Sequence, residues 1–169
     1  MLLESLEDLL LDQLRNLHSV ETQIEVALPS VVAEISSAPL RELLTSQFEE
    51  TEGHIVRLQE VFGTLGVSAR GPRCLGISAL LQETQDIMRR STRGGLLDSA
   101  VIACMQRVKH YEMASYGHAI ANARRLGQRR IAELLGATLS EESRADLELD
   151  RIAEAEVLEQ GAQAGVLAA

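Results

Sequence analysis

Leucine, isoleucine and valine recur at every third or fourth position through long stretches of this chain, and few strong helix breakers interrupt them. At 3.6 residues per turn that spacing collects the apolar side chains into one stripe, which a helix must bury against a partner. Leu3, Leu6, Leu10, Leu14, Leu17, Ile24 and Leu28 form the first stripe and predict a helix over about 2–35. Pro29 falls inside it, lacks an amide hydrogen and is expected to kink or interrupt it. Pro39 opens a second helix over 39–65, with Leu40, Leu44, Gln47, Thr51, Ile55, Leu58 and Phe62 on one side and Gly66 as its stop. Residues 66–75 read as a surface connection and 77–90 as a short helix. After Gly94 and Gly95 a third long helix runs to about Gly127 with Leu97, Ala100, Val101, Cys104, Val108, Tyr111, Ser115 and His118 inward. The fourth long helix points Ile131, Leu134, Leu135, Thr138, Leu149 and Ile152 inward.

Composition agrees with an all-α chain. Apolar residues make up 46% of the sequence while aromatic residues reach only 2%, a balance that suits stacked helices better than strands. The 169 residues fit one domain, expected over 1–160 with a flexible tail over 161–169. Four long helices whose longest connection joins the second to the third match a four-helix bundle with one long crossover, the ferritin-like arrangement.

The formal net charge is -9, and basic residues alternate with acidic ones instead of forming a basic face, which argues against nucleic acid and favours a cationic partner. No run long and apolar enough for a membrane span occurs, and the N-terminus lacks the features of a secretory signal, so the expected location is the cytoplasm. Cys74 and Cys104 are the only cysteines and are read as free thiols.

Several polar residues fall where the helices should be apolar. Glu21 lies about 40° from Leu17 and between Leu14, Ile24 and Leu28, and Glu142 lies about 40° from Thr138 on the stripe of Leu135, Ala145 and Leu149. Moving one carboxylate into dry protein costs on the order of 20 kcal/mol in the ideal limit, and several remain after relaxation, so protonation, a cationic partner or a metal must compensate. Glu50, His54 and Glu112 stand about 60–100° from their helices' core directions, within reach of a shared interior. Glu50/His54 and Glu142/Asp146 are spaced four apart, so the members of each pair stack on one helix face and can serve one site. Carboxylates with an imidazole suit iron or manganese, and no organised cysteine set supports a thiolate zinc centre. His110 reads as a surface residue and His118 as a satisfied core histidine.

Three segments then carry a family resemblance: Val-Lys-His-Tyr-Glu-Met-Ala-Ser-Tyr-Gly at 108–117, Phe-Glu-Glu-Thr-Glu-Gly-His at 48–54 and Ala-Leu-Pro at 27–29. Val-Glu-Thr-Gln at 20–23, Arg-Cys-Leu-Gly-Ile at 73–77 and Thr-Leu-Ser-Glu-Glu at 138–142 add to it, so that it covers the chain to about Ala155. The chain resembles the YciF-type bacterial stress proteins. The resemblance implies a ferritin-like fold, a homodimer and a rubrerythrin-like di-metal centre on Glu21, Glu50, Glu112 and Glu142. The family commonly has Glu-His-Tyr-Glu where this chain reads Lys109-His110-Tyr111-Glu112.

The leading functional expectation is a protein holding two iron ions, or manganese, with Glu21, Glu50, His54, Glu112, Glu142 and Asp146 as candidate ligands, and reacting with oxygen or peroxide as a ferroxidase or peroxidase. Lys109, together with a Glu-to-His spacing of four where di-metal bundles use three, motivates a second expectation: a helical stress scaffold with a degenerate metal site. A bundle that binds a small ligand or DNA is a third, disfavoured for DNA by the acidic charge.

Overall fold

The computed structural model describes residues 2–167, with side chains described through residue 155. The five helices among the described residues are α1 Leu6–Val32, α2 Ala38–Leu65, α3 Leu75–Arg90, α4 Gly95–Arg125 and α5 Arg129–Leu167. The backbone of α5 is helical to Leu167, and the side chains over 161–169, where a loose tail is expected, lie outside the described residues.

Local chemistry explains the ends. Ser5 caps α1 by accepting from the Asp8 amide at 3.0 Å, so the helix starts at Leu6 instead of near residue 2. Pro39 occupies the first turn of α2, where its missing N–H costs nothing. The same helix stops at Gly66, whose φ of 66° lets Val67 N–H reach Phe62 O at 3.1 Å.

Pro29 does not interrupt α1, which runs on to Val32. The proline sits on the exposed face near the end, where water can satisfy the carbonyl it leaves free, and only one further turn has to follow.

α1, α2, α4 and α5 form a bundle in which α1 neighbours α2 and α4, and α5 neighbours α4 and α2. The long link from α2 to α4 carries α3, which packs on α4 and α1. Polar contacts seat this crossover: Ser19 Oγ accepts from the Cys74 amide at 2.9 Å, and Gln23 donates to Cys74 O at 3.1 Å. Gly76 lies so close to the Tyr111 ring that a Cβ there would come within 2.8 Å of it. Cys74 and Cys104 are buried free thiols.

The interior is not one continuous apolar mass. One cluster includes Val20, Ile24, Leu44, Val108 and Leu149, and a second includes Leu17, Leu58, Tyr116 and Leu135. Each long helix passes from one to the other, and in the interval it presents polar groups: Glu21 on α1, Gln47, Thr51 and His54 on α2, Lys109 and Glu112 on α4, Thr138 and Glu142 on α5.

The inward face of α4 differs from the expected one. Leu97, Val101, Cys104 and Val108 are buried as expected, but Tyr111 and Ser115 are half-buried and His118 is exposed, so it is not a core histidine. The expected stripe advanced by 3.5 residues per turn, which slides off the core of a straight helix by about 20° every seven residues. The buried set Asp98, Val101, Met105, Lys109, Glu112, Tyr116, Ile120 and Ala123 instead advances by about 3.6 residues per turn, the repeat of a straight helix, and so keeps to one face. On α2 a similar slip puts His54 inside and leaves Ile55 half-buried.

Asp98 ties the bundle together at one end. Buried in the first turn of α4, it accepts from the amides of Ser36 at 2.9 Å and Ser37 at 2.8 Å, the turn between α1 and α2. Replacing Asp98 with Ala leaves two amides without their partner, and urea denaturation should show a loss of about 2–3 kcal/mol. A loss under about 0.5 kcal/mol would show that water replaces this carboxylate without penalty.

Candidate metal centre

His54 stands at the middle of the polar interval with no exposed surface. Its Nδ1 lies 3.3 Å from Glu21 Oε2 and 3.3 Å from Glu142 Oε1, and its Nε2 lies 3.0 Å from Glu141 Oε2. Ligand atoms from Glu21, His54 and Glu142 all fall within 4.8 Å of one another. Two donors each about 2.1 Å from one ion sit about 3.0–3.4 Å apart in octahedral or tetrahedral geometry, so the 3.3 Å separations match a single coordination sphere.

Outer groups hold these three in place. Tyr116 donates to Glu21 Oε1 at 2.5 Å, and burial pushes its hydroxyl pKa well above the ordinary range, with the Glu21 charge adding to the effect. Glu141 is gripped by Arg57 through a two-pronged ion pair, one arm of which is 2.7 Å long, and Arg57 also donates to Thr138 Oγ1 at 3.2 Å. Burial raises the Glu141 pKa, but Arg57 and His54 outweigh it and hold the carboxyl below its ordinary value. A histidine whose second nitrogen is engaged by a carboxylate is the common support of a metal-bound imidazole.

On the far side of Glu142, Lys109 Nζ lies 2.5 Å from Glu142 Oε2 and 2.9 Å from Glu112 Oε2. The contact with Glu112 is an ion pair whose angles fall short of a hydrogen bond, so both Glu112 oxygens and Glu142 Oε1 lack a conventional hydrogen bond despite full burial. Burial pushes the Glu112 carboxyl well above the usual carboxylate range, the Glu142 charge reinforces this, and Lys109 only partly offsets it. Burial alone would lower the His54 pKa, but the hydrogen bond and charge of Glu21, with the charge of Glu142, raise it. Burial likewise opposes the charge on Lys109, and Glu112 and Glu142 reverse that effect so that the ammonium is retained. Within the cluster, Lys109 and His54 are therefore favoured in their positive forms and Glu112 in its protonated form. A divalent ion can displace or deprotonate such groups.

Of the six candidate ligands, Glu21, His54 and Glu142 converge, and Glu112 lies next to them behind Lys109. Glu50 does not join them. Its Oε2 accepts from Gln47 at 2.8 Å and its Oε1 meets Arg144 at 2.7 Å. Asp146 faces His110 at 3.1 Å near the surface, so the Glu142/Asp146 pair does not serve one site. The geometry adds Tyr116, Glu141 and Arg57, which sequence periodicity did not single out. Tyr116 was within reach of a wheel drawn at the longer repeat of α4, whereas the Arg57–Glu141 pair is visible only once α2 and α5 are neighbours.

Residues 5–162 match the family described as a domain of unknown function, DUF892. The chain belongs to this family. Within the curated proteins it is 31% identical over 152 residues to Protein YciF of Escherichia coli (strain K12), spanning 89% of this chain and 92% of the relative. The crystal structure of that stress protein superposes with a TM-score of 0.88 at 31% identity, covering 92% of this chain and 98% of that one. YcfI from Rhodopseudomonas palustris superposes with a TM-score of 0.85 at 38% identity over 87% of this chain and 94% of its own. A ferritin-like diiron-carboxylate protein from Bacillus anthracis str. Ames shares the fold, with a TM-score of 0.68 at 15% identity over 90% of this chain and 99% of its own. This DUF892 chain is thus a ferritin-like helical bundle related to YciF. No helix among the described residues is long and apolar enough to cross a membrane.

The metal-free cluster makes a pH prediction. Glu112 and His54 both hold protons more tightly in the folded chain than their ordinary values of 4.5 and 6.5 allow, so the folded state binds more protons than the unfolded one. Their contribution is full at low pH and is lost as pH rises, from above about 4.5 for Glu112 and above about 6.5 for His54. Urea midpoints of chelator-treated protein should fall between pH 5 and pH 8, and Glu112→Gln should flatten the fall. A midpoint that climbs across this range would contradict the assigned protonation.

Proposed function

We propose that this chain is a ferritin-like metal-carboxylate protein of the stress response that binds iron, or manganese, at Glu21, His54 and Glu142 and uses it to oxidise iron or consume peroxide or oxygen. The observation that carries this reading is the His54 ring: one nitrogen faces two buried carboxylates at 3.3 Å and the other meets a clamped carboxylate at 3.0 Å. The stress role is suggested by the description of YciF as a stress protein, and the metal chemistry by the diiron-carboxylate description of the Bacillus anthracis protein.

In this reading Glu21 and Glu142 supply hard oxygen donors from α1 and α5, and His54 supplies nitrogen from α2. Bound iron or manganese would supply the change of oxidation state that oxygen or peroxide requires. Glu141 orients the imbedded imidazole so that Nδ1 stays directed at the carboxylates, and Arg57 holds Glu141. The Tyr116 hydroxyl fixes the orientation of Glu21. Glu112 holds a proton beside Glu142 and can release it when positive charge enters the cluster. The Arg57–Glu141 pair is only partly buried, so the support of the fully buried His54 ring reaches toward the surface.

A second reading is favoured by one observation, the Lys109 ammonium between Glu112 and Glu142. An interior neutralised by its own lysine can serve a helical scaffold that needs no metal.

Anaerobic loading with ferrous iron, followed by elemental analysis and calorimetry, separates the two. The metal reading expects about one bound ion or more per chain, lost in His54→Ala and Glu142→Ala, and ferrous oxidation lost with it. Glu141→Gln, which removes only the support of His54, should weaken binding by about 10–100-fold. Uptake below about one tenth of an ion per chain, or uptake indifferent to both ligand substitutions, would favour the scaffold.

A further inference from the structure

Lys109 is the least expected member of the interior, a full ammonium that is 4% exposed at the centre of a helical bundle. Its Nζ does not bond to one neighbour and a backbone carbonyl, as a stray buried lysine would. It spans two carboxylates, Glu112 from its own helix and Glu142 from α5, at 2.9 and 2.5 Å.

Glu142 is thereby divided. Its Oε1 faces the His54 nitrogen at 3.3 Å and its Oε2 faces the Lys109 nitrogen at 2.5 Å. A carboxylate placed this way addresses two cation positions, one per oxygen, as bridging carboxylates do in two-ion centres. The first position is bounded by Glu21, His54 and Glu142, and the second is bounded by Glu142 and Glu112 and filled by Lys109.

The ammonium has nowhere else to go. Lys109 borders an apolar cavity of about 10 Å³ lined by residues such as Ile24, Leu28, Met105 and Leu149, room for about one water. Swinging into it would strand the charge among hydrocarbon and take from Glu142 the cation it faces.

We propose that the Lys109 ammonium stands in for the second metal ion of the bundle, so that the centre takes one ion per chain, and that removing the lysine opens the second position. This rests on the metal reading of Glu21, His54 and Glu142 for the first ion, but the behaviour of position 109 is tested separately from it.

The experiment compares wild type with Lys109→Glu after anaerobic loading with manganese or ferrous iron, counting ions per chain by elemental analysis. The expected result is one additional ion per chain in the variant. If wild type takes one ion and the variant takes two, both readings stand. If wild type takes none and the variant gains one, the proposed function fails while the role of Lys109 stands. If both take the same number, or wild type already takes two, the role of Lys109 is overturned whatever becomes of the first ion.

Lys109→Met guards against a variant that does not fold, because methionine keeps the volume and loses only the charge. Stripped of metal it should melt on the order of 10 °C below wild type, since a broken buried pair leaves the Glu142 carboxylate uncompensated. Manganese should close most of that gap while raising wild type much less. A gap that manganese does not narrow overturns the proposal.

Discussion

Buried carboxylates repel one another and resist leaving water, and the interior of this bundle is arranged around that difficulty. Glu21, Glu112 and Glu142 have no exposed surface, and each comes from a helix that is otherwise held inward by leucine, isoleucine and valine. The hydrophobic stripes drive the helices together and so carry the acids into a place they would not choose. Lys109, His54, Tyr116 and the Arg57–Glu141 pair are the groups that make the place tolerable. Apolar clusters flank the polar interval on both sides and keep its central carboxylates and His54 out of water, which strengthens the interactions among them.

This arrangement links stability to chemistry. Two of the groups that temper the interior charge can yield to a divalent ion: the imidazole can give up its proton and Glu112 can ionise. A fully apolar interval would fold more easily but could do nothing with an ion. The lysine shows the other limit, a positive charge built into the chain that cannot leave. The crossover helix α3 takes no part in the cluster. Its polar anchors to Ser19 and Gln23 stabilise the outer wall that α1 and α4 share.

Much of the fold was legible because it depends on periodicity and breakers. Gly66, Pro39 and Gly94 stand where their backbone properties require, and the stripe of α5 predicted every buried position that was named on it. Glu21 and Glu142 were legible for the same reason, since each lies between apolar neighbours on its helix's inward stripe. His54 was underestimated because a neighbouring isoleucine, Ile55, competed for the inward direction. Lys109, Glu112 and Tyr116 were blurred by the choice of a 3.5-residue repeat on α4, where one of about 3.6 residues describes the buried face. Glu50 looked like a partner of His54 by spacing alone, but spacing does not reveal that Gln47 and Arg144 reach it first. Contacts between helices distant in sequence, such as Arg57 with Glu141, could not be read from any one helix.

A single ion held by three side chains beside a fixed ammonium is tested most directly by anomalous scattering at the metal edge from crystals soaked in manganese or ferrous iron. The expected map has one strong peak in contact with Glu21, His54 Nδ1 and Glu142, with Lys109 still bridging Glu112 and Glu142. Peaks confined to surface carboxylates, or a His54 ring turned away from Glu21 and Glu142 in the loaded crystal, would contradict it.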